Sequence, residues 1–231
     1  MKIAVISDIH GNAPALRAVW ERISGRVDTV LFLGDLAGYY SFVEDCVPFL
    51  DSGNVIGVRG NHDEVLVRCI RTGRPPENSY RERYGSALER AWRELSERGK
   101  RLFLSWPEHT RIQLGSRTIS MYHGAPWDPL EARVYPDFGE WDRFAADSSD
   151  IMLLGHTHYA FSKVWNGKLI VNPGSVGQPR DHKGAGACYA EMNLETLEVT
   201  HHRISYDNRT VLDDSLRHDP HLPYLTEVFT R

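Results

Sequence analysis

The sequence predicts an α/β fold that is richer in strands in its second half than in its first, and three observations carry that reading. Six apolar runs rich in Val, Ile and Leu, "KIAVIS", "DTVLFLG", "NVIGVRG", "TISMYHG", "IMLLGH" and "LIVNPG", read as buried strands. Each runs into a small cluster of glycine with polar or histidine residues, so their C-terminal ends share one edge of a sheet. Helical patterns separate the first three runs and give a βαβαβ opening, whereas the later runs "ACYAEMNL" and "LEVTHHRI" alternate like antiparallel strands.

The first run stops at Asp8 and His10. Asn12 then reads as a helix cap and Pro14 as a first-turn residue of a helix carrying Leu16, Val19, Trp20 and Ile23. That assigns Asn12 and Pro14 and leaves the carboxylate and the imidazole without a role. A second helix is patterned around Val43, Val47 and Leu50. Between Asn78 and Glu97, helical spacing of Tyr84, Leu88, Ala91, Trp92 and Leu95 predicts one long helix within a helical insertion of about residues 72–106. A hairpin around Gly115 and Ser116 follows, and Asn166-Gly167 between "AFSKVW" and "KLIV" predicts a second with a type I′ turn. The polar stretch of about 207–231, with Pro220 and Pro223, reads as a tail lying on the surface. No linker rich in Pro, Gly and Ser divides the chain, so residues 1–231 are expected to form a single domain.

Composition narrows the function classes. With 41% hydrophobic and 25% charged residues, and no apolar stretch long enough for a bilayer, a soluble protein without a membrane partner is expected. The N-terminus enters a strand-like run with no secretory pattern, so the expected location is cytoplasmic. Cys46, Cys69 and Cys188 are scattered and odd in number, suggesting neither a disulfide framework nor a thiolate zinc site. A net charge of −4 without a Lys/Arg block argues against long nucleic acid as a partner. The locally basic "RCIRTGRPPENSYRERYG" reads as a solvated helix face and loop.

Read together, the strand ends supply a constellation. "SDIHGN", "GDLAG", "RGNHDE", "YHGAP" and "LGHTHY" bring Asp8, His10, Asp35, Asn61, His62, His123, His156 and His158, all oxygen or nitrogen ligands of hard or borderline character. Glycine beside each lets the backbone turn so that the side chains converge. Such a set suits two divalent cations sharing one carboxylate, an arrangement that performs in-line displacement at phosphorus. The other six histidines, His109, His182, His201, His202, His218 and His221, fall outside the pattern and read as surface residues, His182 being the one held open.

The ordered series D-x-H, GD, GNH[DE], H, GHTH resembles the calcineurin-like metallophosphoesterase superfamily over Met1 to about Arg180. "GDLAGY", "VRGNHDE" and "NPGSVGQPRD" resemble its compact bacterial and archaeal phosphodiesterase-like branch. The resemblance implies a four-layer αββα sandwich, two mixed β-sheets packed face to face with helices outside. It implies one metal held by Asp8, His10, Asp35 and His158, and a second held by Asp35, Asn61, His123 and His156. Mn, Fe, Co, Ni or Zn suits these ligands, with Mn favoured. His62 matches the histidine that touches substrate in that family. The implied reaction is hydrolysis of a small phosphodiester or phosphomonoester by a hydroxide bridging the metals, with His62 stabilising developing charge or protonating the leaving oxygen.

One departure stands out. The protein Ser/Thr phosphatases of the superfamily carry GD-x-x-D-R, whose carboxylate orients the histidine, and here Gly38 and Tyr39 occupy those positions. A protein phosphatase and a dinucleoside polyphosphate hydrolase remain alternatives within the superfamily. A binding scaffold like the retromer subunit is the non-enzymatic one, and the presence of His62 favours the enzyme over it. In "NPGSVGQPRD", Asn172, Ser175, Gln178 and Arg180 are candidate substrate-side groups, and Arg180 is the one taken forward because a guanidinium pairs well with phosphate.

Overall fold

The computed structural model describes residues 1–181, 183 and 185–230, so His182 lies outside the described residues. The chain forms β1 (Lys2–Ile6), α1 (Ala13–Ile23), β2 (Thr29–Phe32), α2 (Val43–Leu50), β3 (Val55–Gly57) and α3 (Asn61–Thr72). Three short helices follow, α4 (Asn78–Tyr84), α5 (Ala87–Glu94) and α6 (Glu97–Ser105). The remaining strands are β4 (His109–Leu114), β5 (Arg117–Tyr122), β6 (Ile151–Leu153), β7 (Ala160–Trp165), β8 (Lys168–Pro173), β9 (Ala187–Asn193) and β10 (Val199–Ile204), and the chain closes with α7 (Arg209–His218) and α8 (Tyr224–Glu227).

Two mixed five-stranded sheets result, ordered β10-β9-β1-β2-β3 and β4-β5-β6-β8-β7. Each has three parallel strands, β1-β2-β3 along one side of the first sheet and β5-β6-β8 at the centre of the second. Strand alternation builds the layers. In β1, Ile3 and Val5 face the second sheet while Ala4 and Ile6 face the helices; in β6, Ile151 and Leu153 face the first sheet while Met152, with Leu154 just beyond the strand, faces outward. Helices α1–α3, α5 and α6 cover the first sheet. The outer face of the second is covered by the β5–β6 connection, with Trp127, Val134, Phe138 and Phe144 and a 3₁₀ turn over Trp141–Ala146.

The hairpins form as the sequence predicts, and Asn166 and Gly167 both take the positive φ (45° and 76°) that a type I′ turn requires. The single helix expected from Asn78 to Glu97 is instead broken twice. Gly85 at φ 88° ends α4, and Asp219 accepts hydrogen bonds from the Ser86 N–H and hydroxyl. Ser96 caps α6 by accepting from Gly99 N at 3.1 Å, while Glu44 of α2 accepts from Ser96 N and Oγ at 3.0 and 2.7 Å. The expected surface tail is also corrected. It folds as α7 and α8, whose Val211 and Leu225 are buried against Tyr39 and Tyr40, and Asp214 receives a two-pronged bond from Arg90 at 2.8 Å per prong.

Leu153 is fully buried between the sheets. Its truncation leaves a cavity that neither sheet can collapse into, so Leu153→Ala is expected to lower unfolding free energy by about 2–5 kcal/mol, as read from the midpoint of urea denaturation.

Candidate metal centre

The parallel strands of both sheets stop along one line, and the chain turns sharply as it leaves them. Asp8, His10, Asp35, His156 and His158 all adopt positive φ, between 53° and 66°. For residues with a Cβ this costs on the order of 1–3 kcal/mol each, and it persists only where the surroundings over-determine it. Backbone bonds do so here: Asp8 N donates to Gly34 O, His10 N to Asp35 O and Gly11 N to Leu36 O. Asp63 clamps the neighbouring turns by accepting from the N–H groups of Asp35, Ala37 and Gly60 at 2.7–3.0 Å. Gly60 is required by close approach, since a Cβ there would lie 2.1 Å from Asp35 Oδ1.

All seven residues expected as ligands are brought together and, apart from half-buried Asn61, are buried. Asp8, His10 and His158 form one group, Asp35, His123 and His156 a second, and within each group the ligand atoms lie within 4.8 Å of one another. The His10 and His158 Nε2 atoms are 3.1 Å apart, and His158 Nε2 is 3.2 Å from Asp8 Oδ1. His123 Nε2 lies 3.2 Å from each of Asp35 Oδ2, Asn61 Oδ1 and His156 Nδ1. Asp35 Oδ2 is also 3.9 Å from His10 Nε2, which sets that carboxylate between the groups.

Tautomers show what the cluster fits. The Nδ1 atoms of His10, His123 and His158 face the carbonyls of Ala37, Leu33 and Gln178 at 3.1, 2.8 and 2.6 Å. A carbonyl only accepts, so each Nδ1 carries the proton and, in the neutral ring, each Nε2 presents a lone pair to the centre. Lone pairs of His10 and His158 therefore converge, and Asp8 Oδ1 is buried with no hydrogen-bond donor. Divalent cations satisfy every one of these atoms, so the donor set fits bound metal.

Electrostatics agree with the geometry. Burial pushes the carboxyls of Asp8 and Asp35 up, but His158 beside the first and His123 beside the second bring both below their ordinary value. Burial lowers His10 and His158. Burial also opposes charge on His123, yet Asp35 and Asp8 outweigh it and raise that imidazole to about 10.

A cavity of about 280 Å³ opens over the centre, lined by His62, Tyr39, Tyr84, Arg83, Arg133 and Arg180 among others. His62 is itself within ligand reach of His10 and Asp35. Its Nδ1 hydrogen-bonds the Tyr80 hydroxyl, its ring packs edge-on against Tyr84, and burial lowers its pKa to about 4. Arg180 reaches the cavity as expected. Asn172, Ser175 and Gln178 do not: they are buried and brace the ligand loops, Asn172 Nδ2 on Gly155 O, Ser175 Oγ on Asp8 O and Gln178 O on His158. The described histidines outside the motifs do not line the cavity.

Sequence reasoning missed Tyr80, Arg83, Tyr84 and Arg133. The first three belong to the basic stretch expected to be solvated. Its "SYRERY" spaces two tyrosines by four residues on one face of α4, a usable signal once the absent carboxylate leaves His62 without a partner.

A model of the calcineurin-like phosphoesterase superfamily domain matches residues 1–196. The chain is 30% identical to an uncharacterized protein of Methanocaldococcus jannaschii, over 89% of this chain and 88% of that one. It is 26% identical to the probable metallophosphoesterase YsnB of Bacillus subtilis, over 87% of this chain and 88% of that one. Among solved structures, a metallophosphoesterase from Sphaerobacter thermophilus superposes with a TM-score of 0.79 at 28% identity, covering 99% of this chain and 98% of its own.

In metal-free protein His123, at about 10, holds a proton at neutral pH that a cation must displace. Metal uptake is therefore expected to release protons, and apparent Mn²⁺ affinity to rise about tenfold per pH unit between roughly pH 6 and 8. Calorimetric titration of metal-free protein in buffers of different ionisation enthalpy measures both.

Proposed function

This chain belongs to the calcineurin-like phosphoesterase superfamily, and we propose that it is a dinuclear metal-dependent phosphoesterase acting on a small phosphodiester. The observation that carries the proposal is the convergence of imidazole lone pairs on a buried carboxylate oxygen without a donor. Asp8, His10, Asp35 and His158 would hold one cation; Asp35, Asn61, His123 and His156 would hold the other. When bound, such cations supply a water acidified towards neutral pH and Lewis-acid contacts to phosphoryl oxygens.

The chain's own residues do the rest. His62 is neutral at pH 7 and its Nδ1 bonds the Tyr80 hydroxyl; in the tautomer in which that hydroxyl donates, the ring carries its proton on Nε2. Nε2–H then serves as a preorganised donor to charge developing on the phosphoryl or leaving oxygen. Tyr80 fixes that tautomer and the ring's orientation, the task a carboxylate performs where GD-x-x-D-R is present. Tyr39, which stands in that motif's place, bonds Arg180 Nη2 at 2.7 Å instead. A neutral phenol in place of an anionic partner leaves the imidazole a weak acid store. This favours leaving groups that depart without a proton over phosphoserine peptides, whose alkoxide departs only with one.

Chelation is expected to abolish hydrolysis of bis(p-nitrophenyl) phosphate and Mn²⁺ to restore it, with the diester turned over faster than p-nitrophenyl phosphate. Asp35→Asn should lose metal and nearly all turnover. Full activity in well-chelated protein, or a strong preference for phosphoserine peptides, overturns the assignment.

His62→Ala is expected to keep its metal and lose a factor on the order of 10² to 10⁴ in turnover, whereas Tyr80→Phe loses on the order of tenfold. If Tyr80 acts through His62, Tyr80→Phe adds nothing in the His62→Ala background, which the double-mutant cycle reads directly. Loss of metal from His62→Ala would make His62 a ligand.

A further inference from the structure

Three guanidiniums from separate parts of the chain meet at one mouth. Arg83 comes from α4, Arg133 from the β5–β6 connection and Arg180 from the loop after β8, and all line the 280 Å³ cavity over the centre. The single carboxylate among the lining residues is Asp35, which is spent at the centre. Several arginines elsewhere pair with acids, as Arg59 does with Glu64 and Glu108, and Arg90 with Asp214. Among the described residues these three contact neutral groups instead. Arg83 lies over the Tyr84 ring, 5.0 Å from its centroid, and Arg133 Nε donates to His156 Nε2 at 3.2 Å. Arg180 Nη2 donates to Tyr39 Oη and Gln178 Oε1, each at 2.7 Å.

Arg180 is half-buried and anchored before any ligand arrives, and an unpaired charge in a partly desolvated cavity is costly unless a ligand of opposite sign completes it. A single diester phosphate carries one negative charge, and its oxygens are the atoms that bound cations would contact. Three further cations over-compensate it. We infer that Arg83, Arg133 and Arg180 form a second anion subsite, and that the substrate is a phosphoanhydride diester carrying another phosphate beside the scissile one. This inference rests on the phosphoesterase reading and narrows it. The second phosphate is adjacent because the guanidiniums share one small cavity with Asn61, His156 and His158. Planar guanidinium forks bind phosphate oxygens in pairs, which gives selectivity as well as attraction.

The reaction consumes one water. Its oxygen bonds to the scissile phosphorus, the bridging oxygen leaves with the second phosphate, and the protons go to the two phosphomonoesters or to bulk water. The departing group is an anion held by the subsite. Arg83, with Tyr80 and Tyr84, also lines an adjoining groove of about 580 Å³ that carries Val65, Pro75 and Pro76, giving the organic remainder a course away from the centre.

The test compares two probes that share both nucleosides, the methylene-bridged analogue of diadenosine diphosphate and adenylyl-adenosine, titrated calorimetrically into Mn²⁺-loaded protein. The two-phosphate probe is expected to bind at least about tenfold more tightly, with an advantage that shrinks as salt is raised. In Arg83→Gln/Arg133→Gln, both exposed positions where the fold is not at stake, and in Arg180→Gln, the advantage should fall to about twofold or less with metal content unchanged. Equal binding of the two probes, or an advantage untouched by either variant, overturns the inference. Turnover of bis(p-nitrophenyl) phosphate reports on the underlying reading separately. Its absence alongside an intact binding advantage discards the phosphoesterase and keeps the subsite.

Discussion

Asp8, seated between His158 and His10 with one oxygen unanswered, sets the terms for much of this molecule. A carboxylate and several imidazoles buried together cannot be reconciled by proton placement alone. Three of the rings hold a proton on the outer nitrogen against backbone carbonyls, and the lone pairs that His10 and His158 present inward repel. Holding that arrangement in the metal-free chain requires a frame stiffer than the repulsion. The frame is the pair of sheets, whose shared core of Ile3, Val5, Leu31, Leu33, Ile119, Ile151 and Leu153 fixes where the strands end. It also requires turns locked in left-handed backbone, secured by cross-strand N–H bonds and by Asp63. Local strain and electrostatic frustration thus sit together, at the one place where a bound cation relieves the second.

This explains which parts of the fold were legible in the sequence. Strand ends were readable because the change from an apolar run to Asp or His beside glycine is abrupt and repeated, and burial of polar groups at strand ends needs a reason. The breaks at Gly85 and Leu95 were not, because the residues that stabilise them are remote. Asp219 answers Ser86, and Glu44 answers Ser96. Helical periodicity continues across both breaks and masks the two local signs of them, Gly85 and the capping Ser96. The C-terminal helices escaped notice for a related reason. Their buried residues, Val211, Leu225 and Val228, are too few to make a periodic stripe, and their burial depends on Tyr39 and Tyr40 far upstream.

The site divides along the same line. Its ligands lie on segments that read clearly, whereas its walls come from segments that do not. Absence of a carboxylate after "GDLAG" was visible, but the replacement was not, because Tyr80 reaches His62 only once α4 is folded back over α3. "SYRERY" has the composition of a solvated helix, and Arg81 and Arg83 are exposed as such. The tyrosines turn inward because His62 offers one a hydrogen bond and the other an aromatic edge.

How those walls are fastened decides what they can do. α4 is tied at its end to the C-terminal segment through Gly85, Ser86 and Asp219, and Tyr224 Oη donates to Arg83 O. Tyr40 Oη donates to Leu225 O, binding the same segment to the loop that carries Asp35. The mouth is therefore one assembly of α4, α8 and the Tyr39–Tyr40 turn, and it also touches the ligands beneath, through Tyr40 N on His10 O and Arg133 Nε on His156 Nε2. A wall with its own chemistry, made of Arg83, Arg133, Arg180 and the tyrosines around them, thus stands over the ligand cluster.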